Sequence, residues 1–143
     1  MTTKTQMNAF FRAMRKAGIW AKQNFSCCSG CGYYELKAQA VEAGKKEQPV
    51  AFYNKQAEPD WQVNAGEHFE TVLRRGFWLT FGVVNVEHLT ARRHQQMTVA
   101  VGCQIKALAA EHGINIDWNG DPRLNINVLG WRDEEEMMKA GAA

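Results

Sequence analysis

The longest uninterrupted helical period in the chain runs from Glu87 to His112, 26 residues without a proline. Met97, Val101, Ile105 and Leu108 form one apolar stripe, and Val99, Cys103, Ala107 and Ala110 form another. Spacings of three and four place each stripe on one helical face. Two stripes predict a helix wrapped by neighbours on more than one side, with Cys103 as a core thiol and Gly102 allowing another backbone to come close. Gly113 supplies the stop.

What flanks this helix fixes the fold class. Before it, "FWLTFGVV" (Phe77 to Val84) is rich in aromatic and β-branched residues and reads as a buried strand. After it, "INIDW" and "RLNINVLGW" surround "NGDP", whose Asn119-Gly120 pair is a hairpin signal. Leu124, Ile126 and Val128 alternate with Asn125 and Asn127, one face dry and the other wet.

The N-terminal third adds two helices. Residues 3–17 are amphipathic through Met7, Phe10, Phe11 and Met14, with Thr2, Thr3 or Thr5 as the cap and Gly18 as the stop. Gly32 opens a second helix to about Gly44, with Tyr33, Leu36 and Ala40 on one face. Pro49 then starts the strand "PVAFYN". Residues 55–66 read as a loop, and "EHFETVL" as a short helix or strand. The expectation is an α+β domain: two N-terminal helices and a small antiparallel sheet of about four strands, in two hairpins, packed on one long helix. It spans residues 1–131, followed by an acidic, flexible tail at 132–143.

A length of 143 residues suits one core, and shares of 45% hydrophobic and 22% charged residues exclude disordered and fibrous classes. No apolar run approaches a bilayer span, and the N-terminus lacks a signal pattern, so the expected location is the cytoplasm with no membrane partner. Four cysteines there are expected as free thiols or metal ligands.

Three of them, Cys27, Cys28 and Cys31, fall within "NFSCCSGCGYYEL". Cys28-Ser-Gly-Cys31 has the spacing of a zinc knuckle, which makes Cys27, Cys28 and Cys31 candidate ligands and zinc the candidate ion. A second knuckle is missing, since Cys103, His68, His88, His94 and His112 form no ligand pair of the usual spacing. A redox reading rests on the helix N-terminus, which stabilises a thiolate. It wants a strand ahead of the motif in a βαβ unit, whereas a helix and short loop are expected here. The third reading is packing beside Trp20, Phe25, Tyr33 and Tyr34.

Other constellations are weaker. "HFE" (His68 to Glu70) lies in the wrong order relative to the cysteines for a nucleobase deaminase. Asp117, Asp121 and Asp133 suggest paired carboxylates, but the first two flank a turn, where aspartate is common. No phosphate loop, nucleophile elbow or His-Glu-x-x-His is present. His88, His94 and His112 read as surface or capping residues, His112 near a helix C-terminus.

Charge is polarised: residues 1–55 carry +6 and residues 56–143 carry −4. Lys4, Arg12, Arg15, Lys16, Trp20 and Lys22 are the candidate partner-binding set, for a protein or, with Phe25 stacking, for nucleic acid.

Four separated segments carry a resemblance: "AGI" followed by "NFSCCSGCG", then "VAFYNKQ", "WLTFG" and "GINIDWNGDPRLNINVLGW". Together they resemble a family of uncharacterised bacterial and phage proteins, described only as a domain of unknown function. The resemblance implies a small α+β domain with the double-cysteine segment before a helix, and it brings no activity. In the family pattern the strand after the cysteine segment ends in a His-x-Gln-Asp run, where this chain has Asn54-Lys55-Gln56-Ala57. Any chemistry carried by that histidine and aspartate is therefore not expected here.

Three functional readings follow. The leading one is a small cytoplasmic, phage-type binding module that contacts an unidentified protein, with the cysteine cluster structural. The alternatives are a metal- or thiol-dependent enzyme centred on Cys27, Cys28 and Cys31, and a nucleic-acid binder using the basic N-terminal half.

Overall fold

The computed structural model describes residues 2–57, 65–66 and 77–130. Among them are three α-helices and five strands: α1 (Lys4–Lys16), β1 (Trp20–Lys22), α2 (Ser29–Glu42), β2 (Gln48–Phe52), β3 (Phe77–Val84), α3 (Ala91–Glu111), β4 (Ile116–Asp117) and β5 (Ile126–Val128). The α+β expectation holds. "EHFETVL" and the acidic tail lie outside the described residues.

The sheet runs β1-β2-β3-β5-β4. Its β2–β3, β3–β5 and β5–β4 pairs are antiparallel, as expected. The fifth strand is the departure. β1 pairs in parallel with β2, Trp20 opposite Val50 and Lys22 opposite Phe52. Three residues are too few for a period-2 pattern to stand out, so "WAK" was invisible as a strand.

Strand alternation divides the core between the two faces. Ala51, Leu79, Phe81 and Val83 point to one face, where Met7, Phe10, Phe11 and Met14 of α1 meet Val101, Ile105 and Ala109 of α3. Val50, Phe52 and Val84 point to the other, against Leu36 and Ala40 of α2. The sheet is therefore covered by helices on both sides.

Local chemistry sets the helix ends. Thr3 caps α1 in a capping box with Gln6, and Gly18 at φ +90° stops it. Thr90 caps α3, which is 21 residues long and not 26. Only one stripe of α3 is buried, through Thr98, Val101, Gly102, Ile105 and Ala109. The second stripe faces outward, so Cys103 is exposed and not a core thiol. Alanines and a cysteine are apolar enough to mimic a buried face without being one.

The hairpin between β4 and β5 is real but its turn is not tight. Ile116 lies opposite Val128, which leaves residues 118–125 as the connection. Trp118 Nε1 donates to the Asp121 carbonyl over 2.9 Å, and the Asp121 amide donates to Asn119 Oδ1 over 2.9 Å. These local bonds give the backbone an alternative to a two-residue turn. The neighbour at Gly102 is the Trp118 ring, a side chain and not the backbone that this glycine was expected to admit.

Candidate thiol site

Cysteines 27, 28 and 31 come together at the start of α2. That helix begins at Ser29, three residues earlier than Gly32, and Cys28 is its N-cap. The cap is a sulfur: Cys31 N–H donates to Cys28 Sγ over 3.4 Å. Gly32 sits within the helix against Phe52, whose ring approaches within 2.5 Å of where a Cβ would be.

The three Sγ atoms lie within 4.8 Å of one another. Cys27 and Cys31 are exposed and Cys28 is half-buried, which overturns the packing reading. The redox context also needs correcting. β1 precedes the motif and pairs in parallel with β2, so the cysteine loop opens the helix of a β1–α2–β2 unit.

Electrostatics differ along the cluster. The Cys28 thiol is pulled below its ordinary value, first by the backbone N–H of Cys31 and then by the Cys31 and Cys27 thiols. The Cys31 thiol is pushed up to about 12, because it shares its proton with Cys28 and Cys27 and meets their negative charge. The Cys28 thiol, at a helix N-terminus, therefore ionises more readily than that of Cys31.

Beneath the loop is a polar clasp that the sequence reading missed. Ser29 Oγ accepts from Asn54 Nδ2 over 3.1 Å and from Thr80 Oγ1 over 3.0 Å. Asn54 is buried at the end of β2 and also accepts the Ala57 amide through Oδ1 over 3.1 Å. The clasp ties the residue after Cys28 to both central strands. Its one sequence signal was Asn54, noticed only as a departure from the family pattern.

A tetrahedral zinc with Zn–S of about 2.3 Å places its sulfurs about 3.8 Å apart. The thiols here need close up by no more than about an ångström. Among the described residues no fourth histidine, cysteine or carboxylate joins the cluster. The described residues thus offer three of the four ligands of a tetrahedral cation.

The partner-binding set is brought together only in part. Lys4, Arg12, Arg15 and Lys16 lie on α1, with Lys4 about 18 Å along the axis from Lys16. Arg15, Trp20 and Lys22 meet around a groove of about 240 Å³ beside Gln39. Arg15 is partly committed there, donating from Nη1 to the Ala21 carbonyl over 3.2 Å. Of the histidines, His88 meets Glu47 at 3.0 Å and His112 caps the end of α3.

Comparison with known proteins bears on the whole domain. The family model described as "Domain of unknown function (DUF6891)" matches residues 1–134. The chain belongs to this family. No curated protein and no solved structure matches it. No helix among the described residues of this DUF6891 protein is long and apolar enough to cross a membrane.

Proposed function

We propose that this DUF6891 domain binds a soft closed-shell cation, zinc first among them, as thiolates of Cys27, Cys28 and Cys31. The observation that carries this reading is the convergence of three accessible sulfurs within 4.8 Å. All three ligands come from one five-residue stretch, so the ion closes no long loop and adds little to the fold. Structural zinc sites are closed by four protein ligands; three ligands with an open position belong to sites that act on something else. The role is exchange: holding an ion whose fourth ligand is water, a small molecule or another protein.

The test begins with metal content measured by mass spectrometry on protein purified without chelator. The metal-free protein is then titrated with cobalt(II), followed through its thiolate-to-metal absorption, and with zinc in competition. One equivalent is expected, and serine at any of the three positions should weaken it at least about tenfold. Absence of saturable binding, with all three thiols alkylated at the rate of a free cysteine, would overturn the proposal. A Cys28–Cys31 disulfide formed under mild oxidation, without metal binding, would turn the site to redox chemistry.

A second reading, contact with a protein partner, is favoured by the groove of Arg15, Trp20 and Lys22. Its two cations and an indole suit an acidic segment of a cytoplasmic partner. Lys22→Glu should abolish capture of such a partner from host lysate. Retention on immobilised DNA that weakens steeply with salt would assign the groove to nucleic acid instead.

A further inference from the structure

On the sheet face that carries α2, no helix among the described residues covers the row beyond α2. Strand register sets Trp78 of β3 opposite Asn127 of β5, and Asn127 opposite Asp117 of β4. Residues in such a row stand about 5 Å apart with side chains on one side. Asn125 immediately precedes β5, two residues before Asn127. With Leu124 these residues line an open pocket of about 400 Å³, within the usual range for small-molecule sites.

Several buried or half-buried polar side chains elsewhere are paired: Gln23 with Asn8 and Tyr53, Gln48 with Gly18, Tyr33 with Val83, Ser29 with Asn54. Here the Asp117 carboxylate, the Asn125 and Asn127 amides and the Trp78 indole N–H have no partner among the described residues. One wall is nevertheless stiff. In the 118–124 connection, Arg123 grips Asp121 through Nε at 3.0 Å and Nη2 at 2.9 Å, and Trp118 is pinned to the Asp121 carbonyl.

We infer that the row Trp78–Asn127–Asp117, with Asn125, is a binding site for a neutral, polyhydroxylated ligand such as a hexose. Among the described residues no lysine or arginine lines the pocket and the one charged group is a carboxylate, so these residues disfavour anions. An indole offers a flat surface for the C–H face of a sugar ring. Amides and a carboxylate about 5 Å apart accept from, and donate to, adjacent hydroxyls. This site lies away from the cysteines and does not depend on the metal reading.

The experiment follows the indole N–H resonance of Trp78 by ¹H–¹⁵N NMR, assigned with Trp78→Phe. Glucose, galactose, mannose and N-acetylglucosamine are titrated separately, with adenosine as the planar neutral alternative. At least one sugar is expected to shift the resonance saturably, with Kd near about 1 mM. Asp117→Asn should weaken that sugar about tenfold, since a charged acceptor is lost. Asn127→Ala should do the same if its spectrum stays dispersed; Asp117 is exposed, so its variant keeps the test decisive if Asn127→Ala does not fold. No shift with any of the four sugars, a shift with adenosine alone, or an unchanged Kd in Asp117→Asn would each overturn the inference.

Discussion

Asn54 holds Ser29: its buried side-chain amide donates to the serine hydroxyl over 3.1 Å, and its carbonyl oxygen accepts the Ala57 amide. Through this clasp the end of β2 sets where Cys28 and Cys31 stand. Asn54→Ala removes both side-chain bonds, while the Ala57 amide keeps the Asn54 backbone carbonyl over 3.1 Å and Ser29 keeps Thr80, so a loss of about 1 kcal/mol is expected in urea denaturation. Zinc affinity should fall with it, because the loop loses its anchor. Thr80→Val removes only the second donor to Ser29 and should cost less than Asn54→Ala. Equal stability of Asn54→Ala and the native chain would dismiss the clasp.

Cys28 has two roles that one pair of variants separates. As N-cap its sulfur accepts the Cys31 amide; in the cluster it is the sulfur with the lowered pKa. Serine is a better cap than alanine by about 0.5–2 kcal/mol. Cys28→Ser is therefore expected to melt no lower than the native chain while losing metal, and Cys28→Ala to lose both. Thermal denaturation beside cobalt titration reads the two roles apart. Equal melting of the serine and alanine variants would show that the cap carries no weight.

What the sequence made legible was whatever has a strong period. The α1 stripe of Met7, Phe10, Phe11 and Met14 is buried as read, and so is the inward row of Phe77, Leu79, Phe81 and Val83 in β3. Features set by tertiary pairing were not legible. β1 has too few residues to show alternation and exists because β2 lies beside it. Without β1, the cysteine motif looked as if it followed a helix, and the β1–α2–β2 unit was missed. Cys103 went wrong for the opposite reason: a stripe of small residues satisfies the helical period on an exposed face. For the thiols themselves, spacing gave the cluster, while its exposure and the Ser29 clasp needed the fold.

Gly102 faces the Trp118 ring, and a Cβ there would overlap it. Phe81 stacks edge-on against the same indole, with centroids 5.4 Å apart, so the ring has little room to retreat. Gly102→Ala gains helix propensity but overpacks this contact, and a net loss of about 1–3 kcal/mol is expected. Trp118→Phe costs stability alone through the cavity it leaves. In the double variant the two losses should sum to less than their separate values, because the smaller ring yields to the methyl group. Strict additivity in denaturant titrations would mean that Gly102 and Trp118 do not press on one another.

Tyr33 crosses from α2 to β3 and donates its hydroxyl to the Val83 carbonyl over 2.8 Å, resting on Gly82. Burial raises its pKa above the ordinary tyrosine value of 10.0, helped by the nearby negative charge of Glu87. The folded state thus prefers the protonated ring. The stability this contributes is fully present below the unfolded-state pKa, near 10, and is lost as pH rises through the higher folded-state value. At pH 8, Tyr33→Phe should be less stable than the native chain by about 0.5–1.5 kcal/mol. Above pH 10 the gap should shrink and then reverse, since the unfolded native chain ionises and the phenylalanine variant does not. Glu87→Gln removes one cause of the raised pKa, so in that background the gap should shrink less above pH 10 than it does with Glu87 in place. Urea denaturation of the four chains between pH 8 and pH 11 checks this, and a gap that stays constant over the range would mean that the Tyr33 pKa is the same folded and unfolded.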